Sequence, residues 1–422
     1  MLTLTYLRER RESVISALAK RGLDVTESVD RILALDVERR VIQKELDDTL
    51  AESNTLSRQI GILMREGKRE EAEAVKTATS GLKTRSGELK EKMSALENEV
   101  HELLSHLPNT PSDLVVAGNS DKDNELIESW GELPDLGNHK KPHWDIAKEK
   151  DLIDFDLGAK VTGAGFPFYK GKGAKLQRGL IRMFLDKADE AGYTEYIPPL
   201  MINEDSGFGT GQLPDKEGQM YHMKVDDLYM IPTAEVPLTN IYRNTLLNAS
   251  DLPIKLCGYT PCFRREAGSY GKDVRGLNRL HQFDKVEIVQ IQHPDKSAET
   301  LDSMVDHVKG LLEALELPYR ILRLCAGDMG FTAATTYDFE VWSAAQEMWL
   351  EVSSVSTFET FQANRLKCRF KDAEGKNQLV HTLNGSALAL PRIVAALLEN
   401  HQDADGVKIP KALVPYLGFD KI

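Results

Sequence analysis

Apolar residues recur at seven-residue intervals over the first hundred positions of the chain. One series comprises Val75, Leu82, Leu89, Leu96 and Leu103, with companion positions at Met93, Val100 and Leu107. An earlier series comprises Leu35, Ile42, Leu56 and Leu63, with Leu46 and Ile60 beside them and a gap at Thr49. A sustained heptad of apolar residues predicts helices that pair as a coiled coil.

A short polar break separates the two series. Gly67 lies within a run of charged residues, and the first proline of the chain is Pro108. Two helices of similar length joined by a polar turn predict an antiparallel hairpin. At 1.5 Å per residue, about 38 residues give an arm of roughly 57 Å. The heptads alone leave open a generic dimerisation coiled coil.

From about residue 146 the pattern changes to short β-rich runs between helical stretches. Strands are predicted at 195–198, 228–231, 285–289, 339–342 and 349–352, and helices near 174–191, 297–316 and 387–400. This order predicts an α+β domain on a mainly antiparallel sheet flanked by helices. Clusters of Pro, Gly, Asn and Asp give residues 108–145 the composition of a linker. The predicted organisation is an arm domain at 1–107, a linker at 108–145 and an α+β domain at 146–422.

Composition narrows the class of protein. The net charge of −13 argues against nonspecific coating of nucleic acid, although residues 1–110, with 18 Lys and Arg against 20 Asp and Glu, leave room for a local basic face. No apolar stretch is long enough to span a membrane, and the start runs straight into charged residues, unlike a signal peptide. The four cysteines lack the paired spacings of a zinc site, so no zinc is expected, and their small number fits a reducing compartment. We expect a cytoplasmic protein.

A charged strand-loop-strand carries the first candidate chemistry. Arg264 and Glu266 precede a glycine-containing loop at 267–278, and Arg279, Phe283 and Glu287 follow it. Arginines on both strands can bind phosphate oxygens in bidentate fashion, and Phe283 offers a face for a base. Glu287, on the same side of the strand as Phe283, could hold an ammonium group. Read alone, Arg-x-Glu is more often a salt-bridged surface hairpin.

This hairpin and several further segments resemble the motifs of one protein family. The hairpin resembles motif 2 of class II aminoacyl-tRNA synthetases, and Leu280–Glu287 is close to the seryl form. Gly192–Met201 resembles motif 1, and Asn384–Arg392 resembles motif 3. Four other stretches resemble seryl-specific segments: Gly209–Pro214, Thr233–Glu235, Glu351–Ser354 and Phe361–Arg365. With the N-terminal arm, the chain resembles the seryl-tRNA synthetase family over essentially its whole length.

The resemblance implies a class II catalytic domain that activates L-serine with ATP and Mg²⁺. Serine would then be transferred to the 3′-terminal adenosine of serine tRNA, whose long variable arm the coiled coil would contact. Candidate contacts are Arg39, Arg40 and Lys44. The family also implies a homodimer with Pro199 at its interface.

Site residues are implied in the same way. Arg264 would hold the α-phosphate, Glu266 would bind the adenine amino group, and Phe283 would stack on the base. Two further arginines, Arg279 and Arg392, would hold the distal phosphates, while Glu351 and Ser354 would coordinate Mg²⁺. Serine would be recognised by Thr233, Glu235, Arg264, Glu287, Asn384 and Ser386, with Glu287 as the ammonium partner. For Asn384 and Ser386 the alternative is capping of the predicted 387–400 helix.

The sequence departs from the family pattern in motif 3, and other functions are open to it. Ala387 and Pro391 stand where motif 3 commonly has glycine, and Arg265 occupies the variable position of Arg-x-Glu. The alternatives are a threonyl- or prolyl-type class II synthetase, an amino-acid:carrier-protein ligase, which would lack the arm, and a coiled-coil interaction protein with a degenerate synthetase domain.

Overall fold

The computed structural model describes residues 1–137, 140–215, 217–266 and 275–422. The helices are α1 Leu4–Glu9, α2 Arg11–Ala19, α3 Thr26–Arg65, α4 Arg69–His106, α5 His143–Glu149, α6 Phe155–Val161, α7 Gly171–Glu190, α8 Glu204–Thr210, α9 Glu235–Asn240, α10 Ser297–Ala314, α11 Thr360–Leu366, α12 Leu390–Asn400 and α13 Val414–Leu417. Within these described ranges, no helix combines the length and apolar character needed to cross a lipid bilayer.

The strands are β1 Glu125–Trp130, β2 Ile153–Asp154, β3 Phe168–Tyr169, β4 Thr194–Glu195, β5 Met201–Ile202, β6 His222–Met223, β7 Leu228–Met230, β8 Leu246–Asn248, β9 Ile254–Phe263, β10 Gln282–Gln292, β11 Tyr319–Arg323, β12 Thr335–Ser343, β13 Met348–Glu359, β14 Arg369–Lys371, β15 Asn377–Leu379, β16 His381–Ala389, β17 Gln402–Asp403 and β18 Gly406–Val407. Short 3₁₀ turns lie at Asp121–Asp123, Ala249–Asp251 and Pro294–Lys296.

The chain forms two compact units. The arm unit comprises Leu2–Ala19 and Leu23–Pro108. The second unit comprises Met1, Lys20–Gly22 and Asn109–Ile422; it contains the predicted catalytic domain, and we call it the catalytic unit. Strand β1 lies within 108–145, the stretch predicted as a linker, and pairs with β11 of the catalytic unit.

Two long helices, α3 and α4, make the arm. They pack against each other along their length, as the heptads predict. Gly67, in the turn between them, has a φ of +75°, a conformation that glycine adopts without strain. The predicted antiparallel hairpin is confirmed.

The side chains buried between the two helices are smaller and more polar than the leucine series suggests. The companion heptad is the more buried one, and it continues toward the turn through Ala72, Thr79 and Ser86. Thr49, the gap in the first series, is also buried. These hydroxyls bond to carbonyl oxygens of their own helix, as Thr79 does to Val75 at 2.8 Å. The buried hydroxyls therefore form their hydrogen bonds within their own helix. The distance between the two helices is set by the small size of these side chains.

The catalytic unit is built on one large sheet. Within the described residues, eight strands follow the order β1-β11-β12-β13-β16-β10-β9-β4. All neighbouring pairs are antiparallel except β4 with β9, which is parallel. Helices α7, α10 and α12 pack on this sheet. The predicted α+β architecture is confirmed.

Alternation along the central strands divides the sheet into two faces. On β10, Val286 and Ile288 belong to the main apolar core, whereas Lys285 and Glu287 point to the opposite side. On the neighbouring strand β16, Ser386 pairs with Glu287 and Asn384 pairs with Val289. One face thus carries the main core, and the other carries polar groups beside a smaller apolar cluster that contains Val289.

One helix boundary differs from the sequence prediction. The helix predicted at 387–400 begins at Leu390, because 381–389 form β16 between β10 and β13. Pro391 lies in the first turn of α12, where the missing N–H of proline is tolerated.

The seam of the arm predicts the effect of truncating a buried leucine. Leu89 is fully buried on α4, so Leu89→Ala should cost about 3 kcal/mol through lost burial and a residual cavity. Amides of α4 should then exchange with solvent about 100-fold faster, as measured by hydrogen-exchange mass spectrometry. The matched control is Ile62→Ala, since Ile62 is 53% exposed. Equal exchange rates in the two variants would contradict the described packing.

Candidate active site

A cleft of about 630 Å³ lies on the polar face of the main sheet. Its lining includes every residue predicted to bind ATP or serine: Thr233, Glu235, Arg264, Glu266, Arg279, Phe283, Glu287, Glu351, Ser354, Asn384, Ser386 and Arg392. These residues come from strands β10, β13 and β16, from helices α9 and α12, and from the segments that precede α9, follow β9 and precede β10. We call this cavity the cleft.

A buried acidic group forms one part of the cleft. Glu287 is 1% exposed and forms an ion pair with Lys285, two residues before it on β10. The Thr233 hydroxyl donates to Glu287 at 3.2 Å and accepts from the backbone N–H of Glu235, also at 3.2 Å. Glu287 thus holds an ammonium group in this structure, that of Lys285.

Glu235 lies beside this pair and is held by a glutamine. Gln362 donates to Glu235 at 2.7 Å, and the Thr382 hydroxyl donates to Gln362 at 2.7 Å. Burial, reinforced by the charge of Glu287, raises the pKa of Glu235 to about 7. A carboxyl with such a pKa is partly protonated at neutral pH and can donate a hydrogen bond as well as accept one.

Arginines and an aromatic ring form a second part of the cleft. The Arg264 guanidinium lies 5.2 Å from the centre of the Phe283 ring, and its Nε donates to the carbonyl of Pro232 at 3.4 Å. Arg279 donates to Glu266 at 2.8 Å. A planar guanidinium beside an aromatic face suits a ligand with both phosphate and a base.

Arg392 completes this cationic part. It is carried by α12 and donates to the carbonyl of Asn278 at 3.0 Å and to the carbonyl of Glu351 at 2.6 Å. Its guanidinium lies 3.8 Å from the Glu351 carboxylate. Two backbone carbonyls therefore fix the guanidinium at the cleft.

Oxygen atoms suited to be ligands of Mg²⁺ cluster near Arg392. The Ser354 hydroxyl donates to the Asp338 carboxylate, and burial together with the charge of Glu351 raises the pKa of Asp338 well above its usual range. Two carboxylates that repel each other favour a hard cation between oxygen ligands, so the donor set fits Mg²⁺. In the part of the chain that the structure describes, no cluster of three or more His, Cys, Asp or Glu forms a metal site by itself.

Asn384 and Ser386 lie within β16 and do not cap a helix. The residue that precedes α12 is Ala389, so the capping alternative is wrong. The Ser386 carbonyl accepts from the Ser353 hydroxyl at 2.5 Å, which ties β16 to β13. Ala387 is fully buried in the main core, where its methyl group packs in place of the glycine common in motif 3.

Sequence reasoning missed several residues of the cleft. Lys285 lies between Phe283 and Glu287 on the same face of β10, so the two-residue period of the strand could have identified it. Gln362 lies in a segment noted for its family resemblance, although its contact with Glu235 depends on tertiary structure. Asp338 on β12 has no local sequence signal.

Two of the predicted functional segments are not part of the described cleft. Pro199 is not among the residues lining the cleft; it lies in an exposed segment beside Ile197, which is 91% exposed. Residues 267–274 of the glycine-containing loop between Glu266 and Arg279 lie outside the described residues.

The chain matches two family models, one of which is that of a class II aminoacyl-tRNA synthetase core. Residues 221–401 match the tRNA synthetase class II core domain (G, H, P, S and T). Residues 1–111 match the seryl-tRNA synthetase N-terminal domain.

Full-length relatives agree with both matches. The chain is 53% identical to a serine–tRNA ligase of Salinibacter ruber, covering 100% of this chain and 99% of the relative. It is 44% identical to a serine–tRNA ligase of Trichlorobacter lovleyi, covering 99% and 98%. The crystal structure of seryl-tRNA synthetase from Pyrococcus horikoshii complexed with ATP superposes with a TM-score of 0.92 at 36% identity, covering 100% and 99% of the two chains. The chain belongs to the seryl-tRNA synthetase family.

The raised pKa of Glu235 predicts a pH dependence of stability. Its folded-state pKa of about 7 exceeds the ordinary value of 4.5, so proton uptake stabilises the folded catalytic unit as pH falls from 7 toward 4.5. This contribution, up to ~3 kcal/mol, is lost as pH rises through 7. Glu235→Gln should remove it. All four tryptophans lie in the catalytic unit, so urea unfolding followed by tryptophan fluorescence at pH 5 and 8 measures the difference. Identical pH dependence in both proteins would show that burial does not perturb Glu235.

Proposed function

We propose that the cleft performs both steps of serine attachment to tRNA. As a member of this family, the chain is an ATP-dependent serine–tRNA ligase. The serine carboxylate attacks the α-phosphorus of ATP, the bond to the β-phosphate breaks, and pyrophosphate leaves. The 3′-hydroxyl of the terminal tRNA adenosine then attacks the carbonyl of seryl-adenylate, and AMP leaves. The observation that carries the proposal is that one cleft brings together all the predicted serine- and ATP-binding residues.

Serine recognition is assigned to the buried acidic group. The substrate ammonium replaces the Lys285 ammonium on Glu287 or shares that carboxylate with it, and Thr233 supports the same oxygen. Glu235, with its raised pKa, can bind the serine hydroxyl as donor or acceptor. Asn384 and Ser386 complete the proposed serine site. Alanine, which lacks the hydroxyl, would leave such buried groups unpaired.

Nucleotide binding is assigned to the arginines and the ring. Arg264 lies against Phe283, so a phosphate held by the guanidinium and a base stacked on the ring belong to one nucleotide. Glu266, oriented by Arg279, receives the adenine amino group. Arg279 and Arg392 hold the distal phosphates. Since no protein nucleophile is needed, positioning and charge stabilisation account for the rate.

Glu351 and Ser354 would hold Mg²⁺, with Asp338 as a neighbouring carboxylate. When bound, the ion neutralises charge on the phosphate oxygens. The repulsion between Asp338 and Glu351 supports this assignment, because a cation relieves it.

The arm is assigned to tRNA. Arg39 and Arg40 lie 2.9 and 3.3 Å from the Asp36 carboxylate, which is fully buried, so both guanidinium groups are held in place on α3. With the exposed Lys44 they offer cations to an RNA backbone, whose recognition depends on shape and phosphate contacts. The proposed contact is the long variable arm of serine tRNA.

The proposal includes a homodimer and a cytoplasmic location. The exposed segment with Ile197 and Pro199 supports a dimer interface, since exposed apolar side chains in such a segment are suited to association. All four cysteines are free thiols, as expected in a reducing compartment.

Pyrophosphate exchange tests the activity. Purified protein with Mg²⁺ should exchange radioactive pyrophosphate into ATP with serine and with none of the other nineteen amino acids. Arg264→Ala should lower kcat/KM by at least about 100-fold, because it removes a cation from the reacting phosphate. The matched control is Arg265→Ala, whose side chain is exposed, and it should stay within about threefold of wild type. Exchange driven by another amino acid would overturn the substrate assignment.

Glu351→Gln tests the Mg²⁺ assignment. Loss of one carboxylate ligand should raise the Mg²⁺ concentration needed for half-maximal ATP binding by about tenfold, measured by calorimetry over a Mg²⁺ series. Glu347→Gln, an exposed residue preceding the same strand, is the control. An unchanged Mg²⁺ requirement in Glu351→Gln would remove this residue from the metal site.

A further inference from the structure

A buried histidine and glutamate lie behind the segment that carries Arg279. The side chains of His143 and Glu399 are fully buried, and His143 Nδ1 lies 2.7 Å from Glu399 Oε1. The backbone N–H of Leu277 donates to His143 Nε2 at 2.9 Å. Because a backbone N–H can only donate, Nε2 is unprotonated and Nδ1 carries the hydrogen given to Glu399. The imidazole is therefore neutral and in a defined tautomer.

Glu399 fixes this tautomer as an ionised carboxylate. Its Oε1 also accepts from the backbone N–H of His143 at 2.9 Å and from Gln346 at 3.0 Å, and its Oε2 accepts from the Ser343 hydroxyl. A carboxylate with this many donors orients the histidine rigidly.

The same contacts close into a ring through Asn278. Its side-chain amide donates to Gln346 at 2.8 Å, and its backbone carbonyl accepts from Arg392 at 3.0 Å. We call Glu399, His143, Leu277, Asn278 and Gln346 the anchor ring. Since Arg279 follows Asn278 directly and Arg392 bonds to it, the ring sets the position of both arginines.

Close packing reinforces the contact between this segment and α5. Gly276 has a φ of +68°, and a Cβ there would come within 2.2 Å of His143 Nε2. The Arg275 guanidinium lies 4.6 Å from the centre of the Trp144 ring. The segment therefore rests on the first two residues of α5 with no space for a side chain at Gly276.

We propose that His143 is a positioning residue for ATP: its imidazole, oriented by Glu399, holds the Leu277 amide and so places Arg279 and Arg392 for the distal phosphates. This inference rests on the proposed roles of the two arginines. A buried pair that only stabilised the fold would change unfolding without a selective effect on ATP. A positioning residue weakens ATP use and leaves serine use unchanged.

Two substitutions of His143 separate its two hydrogen bonds. In His143→Asn the amide nitrogen can replace Nδ1 toward Glu399, but nothing accepts from Leu277. In His143→Gln the amide oxygen can replace Nε2 and accept that N–H. In serine-dependent pyrophosphate exchange, His143→Asn should raise KM for ATP by about tenfold, with KM for serine within about twofold of wild type. His143→Gln should restore KM for ATP to within about threefold.

Gln346→Leu removes other hydrogen bonds of the anchor ring and provides an independent test if the histidine variants fail to fold. Gln346 is only partly buried, and its loss should raise KM for ATP by about threefold without moving KM for serine. Tyr193→Phe is the control, since it removes a buried hydrogen bond to Gln290 of 2.7 Å elsewhere in the catalytic unit and should leave both KM values unchanged.

The outcomes separate this inference from the proposed function. Wild-type protein without serine-dependent exchange would overturn the proposed function itself. Wild-type exchange with an unchanged KM for ATP in His143→Asn, or in Gln346→Leu where the former does not fold, would overturn the positioning role. Equal rises in both KM values, or His143→Gln as impaired as His143→Asn, would also overturn it.

Discussion

The pleat of the central strands constrains the whole catalytic unit. Successive side chains on a strand must face opposite sides, so β10 sends Val286 and Ile288 into the apolar core and Lys285 and Glu287 into the cleft. A shift of one residue in the register with β16 would exchange the two sets. The core packing against α7, α10 and α12 therefore also fixes the register of the active site.

Much of this architecture could be predicted from the chain itself. The heptads predict the arm because a coiled coil needs a regular apolar repeat, and the structure confirms the hairpin. The boundary near 387 was less predictable, because residues 385–389 are apolar or small and suit either a helix or a buried strand. Only pairing with β10 and β13 decides it. The small seam residues Thr79 and Ser86 escaped notice for a similar reason, since hydroxyls read as polar gaps.

The site divides in the same way between local and tertiary information. The grouping of residues within the motif-like segments, such as Arg264 and Glu287, in one cleft could be predicted, because the family resemblance assigns these segments to one site. Lys285 required the strand period as well. Asp338 and His143 could not be found, since the former is defined by its proximity to Glu351 and the latter by Glu399, 256 positions away. Long-range partners leave no trace in a single sequence.

The ion pairs inside the cleft have a consequence for selectivity. The Lys285 ammonium neutralises Glu287, and the Arg279 guanidinium neutralises Glu266. A partner tethered in the same chain acts at a high effective concentration. A ligand group that takes the place of one of these cations must therefore outcompete an intramolecular rival, and its affinity is the difference between two pairings. Small molecules with one matching charge gain little from such an exchange, whereas a ligand that satisfies several groups at once displaces the rivals together.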